Sequence, residues 1–339
     1  MIRRVLAAVV LAVVGLVLLG FAWPQLFGLQ DAPFFAQVVS LRALAGLCAV
    51  LGLAVLLLVA LLVPAARRFC MALSALLALF IGISAAVLGT RGFGDTAFEE
   101  KQPGDVTVLA WNTLGDAPGA EEIARVALET GADIVSLPET TAQTAVAVAE
   151  LMRDSGRPMW VHSLAYDLIS KARSTSLLTS VELGQYTSDP HARTTSVLPT
   201  LVATPLNGDG PTIVAVHAVS PTTIQLQNWR EDLQLIADLC NGSNVIMAGD
   251  FNATLDHFSN YGHPDGGDLG ACYNGADATG NAAVGTWPTT LPALVGAPID
   301  HVMATDNWRA TGGAVIQTVD NAGSDHRPIV VQLSRTEGE

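Results

Sequence analysis

The chain has 339 residues and a formal net charge of −14, too long for one small core and too acidic to coat nucleic acid through its phosphates. The charge is split: residues 1–90 carry Arg3, Arg4, Arg42, Arg67 and Arg68 against Asp31, a balance of +4 that leaves −18 for residues 91–339. An acidic domain can still hydrolyse nucleic acid when a bound divalent cation supplies positive charge, so only non-specific binding is excluded.

Three apolar stretches come first, at residues 5–23, 38–63 and 69–88. Each approaches the ~20 residues that cross a bilayer as a helix. The first also suits a signal peptide, but no convincing small-x-small cleavage site follows it and two more spans do. Residues 1–90 therefore read as a retained anchor of three transmembrane helices. Arg3 and Arg4 fall on the same side as Arg67 and Arg68 if all three helices span, and the positive-inside rule makes that side cytoplasmic. Arg42 departs from the pattern and is expected to snorkel to the outer interface. This multi-pass topology in the plasma membrane puts the N-terminus in the cytoplasm and everything from Arg91 on outside it. Cys48 and Cys70 read as packing residues of the spans. Cys240 and Cys272 are either a disulfide permitted by export or two buried thiols.

Residues 91–105 carry Gly, Pro and charge and read as a linker, and residues 106–335 as one α/β domain. Strands are predicted at 106–111, ending on Asn112; at 134–137, ending on Pro138-Glu139; and at 176–179, 200–204 and 212–216, the last closed by His217. Helices are predicted at 121–130, 141–152 and 229–239. The apolar run 245–248 is a buried strand punctuated by Gly249. Asp250 and Asn252 follow two residues apart, so an extended backbone points both side chains the same way. Residues 299–303 and 329–333 are the last predicted strands. Strands and helices mix without strict alternation, which suggests two packed sheets with helices outside. Residues 288–298 form a Pro/Gly-rich loop. The Gly/Asp/Asn-rich 260–285 is long for an unstructured connection and is expected to be functional or mobile surface.

The polar residues that end strands are Asn112, Glu139, His217, Asp250, Asn252, Asp300, Asp325 and His326. Each alone has a structural explanation: Asn112 or Glu139 as a cap, Asp250 and Asn252 as an Asx turn, Asp300 with His301 as an exposed pair, Asp325 as the cap of a turn. Arg327 reads as an ion-pair partner, and His301 has no assignable role. Together, oxygen donors of the kind hard cations prefer, with two histidines that handle protons near neutral pH, are what a metal-assisted phosphoester hydrolase needs.

The ordered set Trp-Asn (111–112), Pro-Glu (138–139), His-x-x-Ser-Pro (217–221), Gly-Asp-Phe-Asn-Ala-Thr (249–254), Ile-Asp-His (299–301) and Ser-Asp-His-Arg-Pro (324–328) resembles the endonuclease/exonuclease/phosphatase superfamily over nearly the whole outer domain. The resemblance implies a four-layer α/β-sandwich, two mixed β-sheets flanked by helices. With three spans in front and Gly-Thr-Trp-Pro at 285–288, the chain is similar to a membrane-anchored branch, the glycopeptide-resistance membrane proteins. Carried over residue by residue, the resemblance makes Glu139 the principal ligand of Mg²⁺ (or Mn²⁺), assisted by Asn112 and Asp325. It makes Asp250 the group that aligns or deprotonates the attacking water, and Asn252 the holder of a phosphate oxygen. His217 would hydrogen-bond the phosphoryl group or assist the leaving oxygen, and His326 would contact the phosphate, with Asp300 fixing its tautomer. The family's amide and arginine around its middle strand are missing from Ser174–Ser180, which removes the usual substrate contacts there. Leu137–Thr141 mimics a sortase signal but sits mid-domain without a following apolar tail.

The resulting expectation is a membrane-anchored Mg²⁺-dependent phosphoesterase whose partners are the bilayer and a lipid-linked phosphate, such as a polyprenyl phosphate or diphosphate, or a phospholipid head group. A surface nuclease and a non-catalytic phosphate-binding module are the alternatives. The acidic charge and the lack of interleaved basic and aromatic residues weigh against the nuclease. No protein partner is indicated.

Overall fold

The computed structural model describes residues 1–94, 97–189, 192–208, 210–264 and 266–336, so residues 95 and 96 of the expected linker lie outside the described residues. The chain forms two compact units, Met1–Arg91 and Gly92–Glu339.

The first unit is helical: α1 (Ile2–Ala22), α2 (Phe35–Ser40), α3 (Arg42–Leu62) and α4 (Arg67–Arg91). Helices α1, α3 and α4 are each long and apolar enough to cross a membrane. The second apolar stretch is not one helix, because the backbone breaks at Leu41 (φ −104°, ψ 41°) between α2 and α3. Arg42 is only 5% exposed, and its Nη1 donates to the Ala22 carbonyl at 3.0 Å. That carbonyl lies in the last turn of α1, where unmet acceptors and the negative end of the helix dipole favour a cation.

The second unit runs β1 (Val106–Ala110), α5 (Gly119–Glu129), β2 (Ile134–Pro138), α6 (Ala142–Asp154), β3 (Met159–Ala165), β4 (Ser174–Ser180), β5 (Tyr186–Ser188), β6 (Leu201–Pro205), β7 (Thr212–His217), α7 (Leu226–Leu239) and β8 (Val245–Asp250). It continues through α8 (Leu255–Phe258), β9 (Tyr273–Asn274), α9 (Gly275–Ala278), β10 (Asp300–Ala304), β11 (Trp308–Val315) and β12 (Ile329–Arg335). The strands form two six-stranded mixed sheets, β11-β12-β1-β2-β4-β3 and β5-β6-β7-β8-β10-β9.

Alternation along the strands separates two cores. Val106, Val108, Ala110 and Ile134 of the first sheet share a buried cluster with Ile213, Ala215, Ile246, Ala248 and Val302 of the second. The intervening residues Leu109, Val135 and Leu137 pack instead with Ile123 and Val126 of α5 and Val148 and Met152 of α6. This is the expected α/β-sandwich.

Two features go beyond the sequence reading. Strand β11 stands between the two that were predicted to end the chain. Gly312-Gly313 argue against a strand by propensity, but a bulge between Ala310 and Gly312 accommodates them, and Phe98 packs so closely on Gly312 that a side chain there has no room. The segment expected as a linker is partly fastened to the second unit. Ala283 N–H donates to the Gly92 carbonyl (3.1 Å), Gly94 N–H to Gly280 (2.9 Å) and Glu99 N–H to Thr311 (2.8 Å). Of the two cysteine alternatives, the structure holds the disulfide. Cys240, at the end of α7, is bonded to Cys272 with Cα atoms 5.9 Å apart, which staples the Gly/Asp/Asn-rich segment to that helix.

Candidate active site

Strand register gathers the polar ends. β8 runs parallel to β7 and antiparallel to β10, with Asp250 opposite His217 on one side and Asp300 on the other. These three residues therefore stand side by side at one edge of the second sheet. In the first sheet β1 and β2 are parallel, so Asn112 and Glu139 leave at a common edge. Ile329 of β12 pairs with Ala110, which brings the preceding Asp325 and His326 to that edge as well. Gly249 is required one residue before Asp250: its φ is +144°, and a Cβ there would collide with the Val216 carbonyl of β7.

A chain of close approaches links the groups. Asn112 Nδ2 donates to Glu139 Oε1 (3.2 Å) and Asp250 Oδ2 (3.0 Å). Asp250 Oδ1 accepts from the Asn252 N–H (2.8 Å) and its Oδ2 from Asn252 Nδ2 (3.2 Å). His326 Nε2 lies 3.8 Å from Asp250 Oδ2 and 4.0 Å from Asp325 Oδ1, while its Nδ1 bonds Asp300 Oδ2 at 2.8 Å. His217 Nε2 lies 4.0 Å from Glu139 Oε1. All eight sequence-predicted residues thus meet in one place. Glu139 and Asn252 have left-handed φ values of 57° and 47°, uncommon outside glycine and concentrated at functional sites.

Burial and neighbouring charge together set the protonation states. It raises the Glu139 carboxyl above its usual range, against the opposing Asn112 hydrogen bond and His326 charge. It pushes Asp250 up to about 7, helped by the neighbouring Asp300 carboxylate. For His326 burial opposes the charge, but the carboxylates of Asp300 and Asp250 outweigh it and raise the imidazolium to about 10. His217, fully buried and near that imidazolium, is lowered to about 3 and stays neutral. One histidine is thus a cation and the other a neutral donor or acceptor.

The chemistry of the donors tests whether a divalent cation fits. Four carboxyl groups face a single imidazolium, and Asp325 Oδ1 is buried without a hydrogen-bond partner, so hard oxygen donors are available. Among the described residues, ligand atoms of Asp250, Asp300 and His326 lie within 4.8 Å of one another, a different set from the expected Asn112, Glu139 and Asp325. His326 Nδ1 and Asp300 Oδ2 are already bonded to each other at 2.8 Å, whereas Asp325 Oδ1 has no hydrogen-bond partner and Glu139 offers a second carboxylate. Asn112 Oδ1 accepts the Leu114 N–H at 3.0 Å while its Nδ2 bridges two carboxylates. Asn252 likewise commits its amide hydrogens to the Ala218 carbonyl (2.9 Å) and Asp250. Both amides orient carboxylates here.

Two site residues were missed from the sequence. Thr175 Oγ1 lies 3.2 Å from His217 Nδ1, across 42 residues of chain. Trp287 Nε1 donates to Asp325 Oδ2 at 2.9 Å and fixes that carboxylate. His301 finds a structural role: Nε2–H donates to the Ala253 carbonyl and Nδ1 accepts from Asn274 Nδ2, both at 2.8 Å, with the ring against Phe251 and Phe258. Arg327 is buried in an ion pair with Asp320 (2.8 and 2.7 Å) and holds the carbonyls of Gly285, Pro288, Thr289 and Leu291.

The same fold is found in solved structures. An endonuclease/exonuclease/phosphatase from Beutenbergia cavernae matches with a TM-score of 0.50 and 20% identity, over 69% of this chain and 72% of that one. A humanized D. rerio TDP2 matches at 0.50 and 17%, over 68% and 99%. A Bacteroides vulgatus endonuclease/exonuclease/phosphatase matches at 0.50 and 13%, over 68% and 99%. No curated protein matches the sequence. The model of the Endonuclease/Exonuclease/phosphatase family matches residues 109–326, which span every one of these site residues, and the chain belongs to that family.

Proposed function

We propose that the chain is a membrane-anchored phosphoesterase that uses a divalent cation, Mg²⁺ first among candidates, to hydrolyse a lipid-linked phosphate outside the cytoplasm. Members of the family are generally phosphoesterases or nucleases and typically use divalent metals. The observation that carries the catalytic part is the in-register row of His217, Asp250 and Asp300 facing Glu139 and His326.

Glu139 and Asp325 would hold the cation, the latter steadied by Trp287. Bound there, it would withdraw charge from the phosphoryl oxygens. Asp250, raised to about 7, is matched to taking a proton from water near neutral pH, and the two asparagines hold it in line. Asp300 keeps His326 protonated, with Nε2–H free to donate to a phosphoryl oxygen. Thr175, by donating to Nδ1, leaves neutral His217 with its hydrogen on Nε2, the unpartnered atom nearest Glu139. Together the two donors would absorb charge as it develops during in-line attack.

Three helices that can cross a bilayer support a lipid-borne substrate and the resemblance to the glycopeptide-resistance membrane proteins. The arginine pattern and the disulfide support an oxidising, extracytoplasmic location for the catalytic domain. Reporter fusions at residue 150 test the topology, and cytoplasmic reporting would sink it. A substrate panel of polyprenyl diphosphate, phospholipid and single-stranded DNA tests the chemistry. Turnover of DNA alone would favour the surface nuclease instead.

A further inference from the structure

We propose that loops around the active-site mouth dock the second unit, site end first, on the bilayer that the apolar helices cross; this rests on the membrane-anchored reading above. Among the described residues of this unit, the most exposed large apolar side chains are Leu168 (100%), Ile169 (95%) and Ile224 (89%). All three stand at the site end of the sheets. Leu168 and Ile169 lie between β3 and β4, whose second residue Thr175 meets His217. Ile224 lies in the loop that leaves β7 after His217 and passes through Ala218, the carbonyl partner of Asn252.

Scattered exposed leucines are ordinary, but this tip is a built feature. Asp167 Oδ1 accepts the N–H groups of Ile169 (3.0 Å) and Ser170 (2.7 Å), and Arg173 Nη1 holds the other carboxylate oxygen at 3.1 Å. Lys171 Nζ pairs with Asp116 (3.2 Å), whose N–H donates to the Glu139 carbonyl. The tip is therefore braced against the turn that sets Glu139. Apolar tips carried on a braced loop suit a lipid surface, where such side chains enter the acyl boundary. Covalent attachment to helices that can cross a membrane makes the bilayer the surface at highest effective concentration. Docked this way, the site opens toward headgroup phosphates.

The test uses the full chain, with Cys48→Ala and Cys70→Ala, in vesicles of phosphatidylcholine and phosphatidylglycerol. An environment-sensitive fluorophore is placed at Ile169→Cys, at Ile224→Cys, or at Leu206→Cys in the turn after β6, at the opposite end of the sheet. Blue-shifted emission, quenched by spin-labelled acyl chains at 169 and 224 but not at 206, is the expected result. Solvent-like emission at 169 and 224 overturns the proposal, as does a blue shift without lipid quenching, which would indicate burial against a second copy. In parallel, the triple variant Leu168→Asp, Ile169→Asp, Ile224→Asp should lose lipid-phosphate turnover at least about tenfold, the equivalent of withholding one such side chain from the acyl phase. Its hydrolysis of water-soluble p-nitrophenyl phosphate should be unchanged. Lipid quenching in a protein that hydrolyses no lipid would uphold docking while removing the substrate reading.

Discussion

Replacing Cys240 and Cys272 together by alanine removes the staple between α7 and the segment that follows α8. The bonded residues are 32 apart, and both side chains are fully buried. For a loop of that length, the chain-entropy relation gives an unfolded-state constraint of about 4 kcal/mol at 25 °C. With a urea dependence of about 2–3 kcal/mol per molar for a unit of this size, the midpoint should fall by roughly 1.5 M. Tryptophan fluorescence reads the right unit, because Trp111, Trp160, Trp229, Trp287 and Trp308 lie in the second unit and only Trp23 in the first. Wild-type protein unfolded with reductant should approach the variant, and Cys48→Ala should leave the midpoint unchanged. A double variant whose midpoint stays within about 0.3 M of wild type would refute the reasoning and weaken the case for an oxidising compartment.

Three further outcomes follow from individual contacts. Trp287→Phe keeps the ring but loses the bond to Asp325, so the Mg²⁺ concentration for half-maximal turnover, and calorimetric Mg²⁺ affinity, should worsen about 10–100-fold; an unchanged titration contradicts this role. Arg327→Met leaves Asp320 and four carbonyls without their cation and should cost about 3–5 kcal/mol in urea unfolding. Arg327→Lys should rescue little of it, since an ammonium cannot reproduce the bidentate fork. Asp232 is pushed up to about 6 by burial, against the hydrogen bonds it accepts from Val219 and Ser196. An acid whose folded value is raised binds more protons when folded, so its contribution is fully present below 3.8 and is lost as pH rises through about 6. Asp232→Asn should therefore flatten the dependence of the urea midpoint between pH 4 and 7, and a parallel curve for the variant would contradict it.

Much of this architecture was legible because the chemistry sits where strands end. The β-branched runs at 106–110, 134–137 and 245–248 announced central strands, and the polar residue closing each run announced the site. What escaped depends on partners far away in sequence. Thr175 looked like one of many Ser/Thr positions in β4 until the second sheet brought His217 beside it. The two carboxylates that the Asn112 amide nitrogen bridges, Glu139 and Asp250, lie 27 and 138 residues away. Strand β11 was hidden by Gly312-Gly313, whose value lies in the close approach of Phe98 and not in any local preference. The partner of Arg42 was not legible, because nothing in its own stretch reveals that the end of α1 awaits it.

The central claim is tested most directly by phosphate release from a polyprenyl diphosphate in detergent micelles, comparing wild type with Asp250→Asn, with Mg²⁺ present and then chelated. Asparagine keeps the shape of Asp250 and removes a carboxyl that burial already disfavours in its charged form, so the variant should remain folded. Release by wild type that vanishes both on chelation and in the folded variant is the predicted result. Release by Asp250→Asn at the wild-type rate would contradict the assignment of this carboxylate and the account built around it.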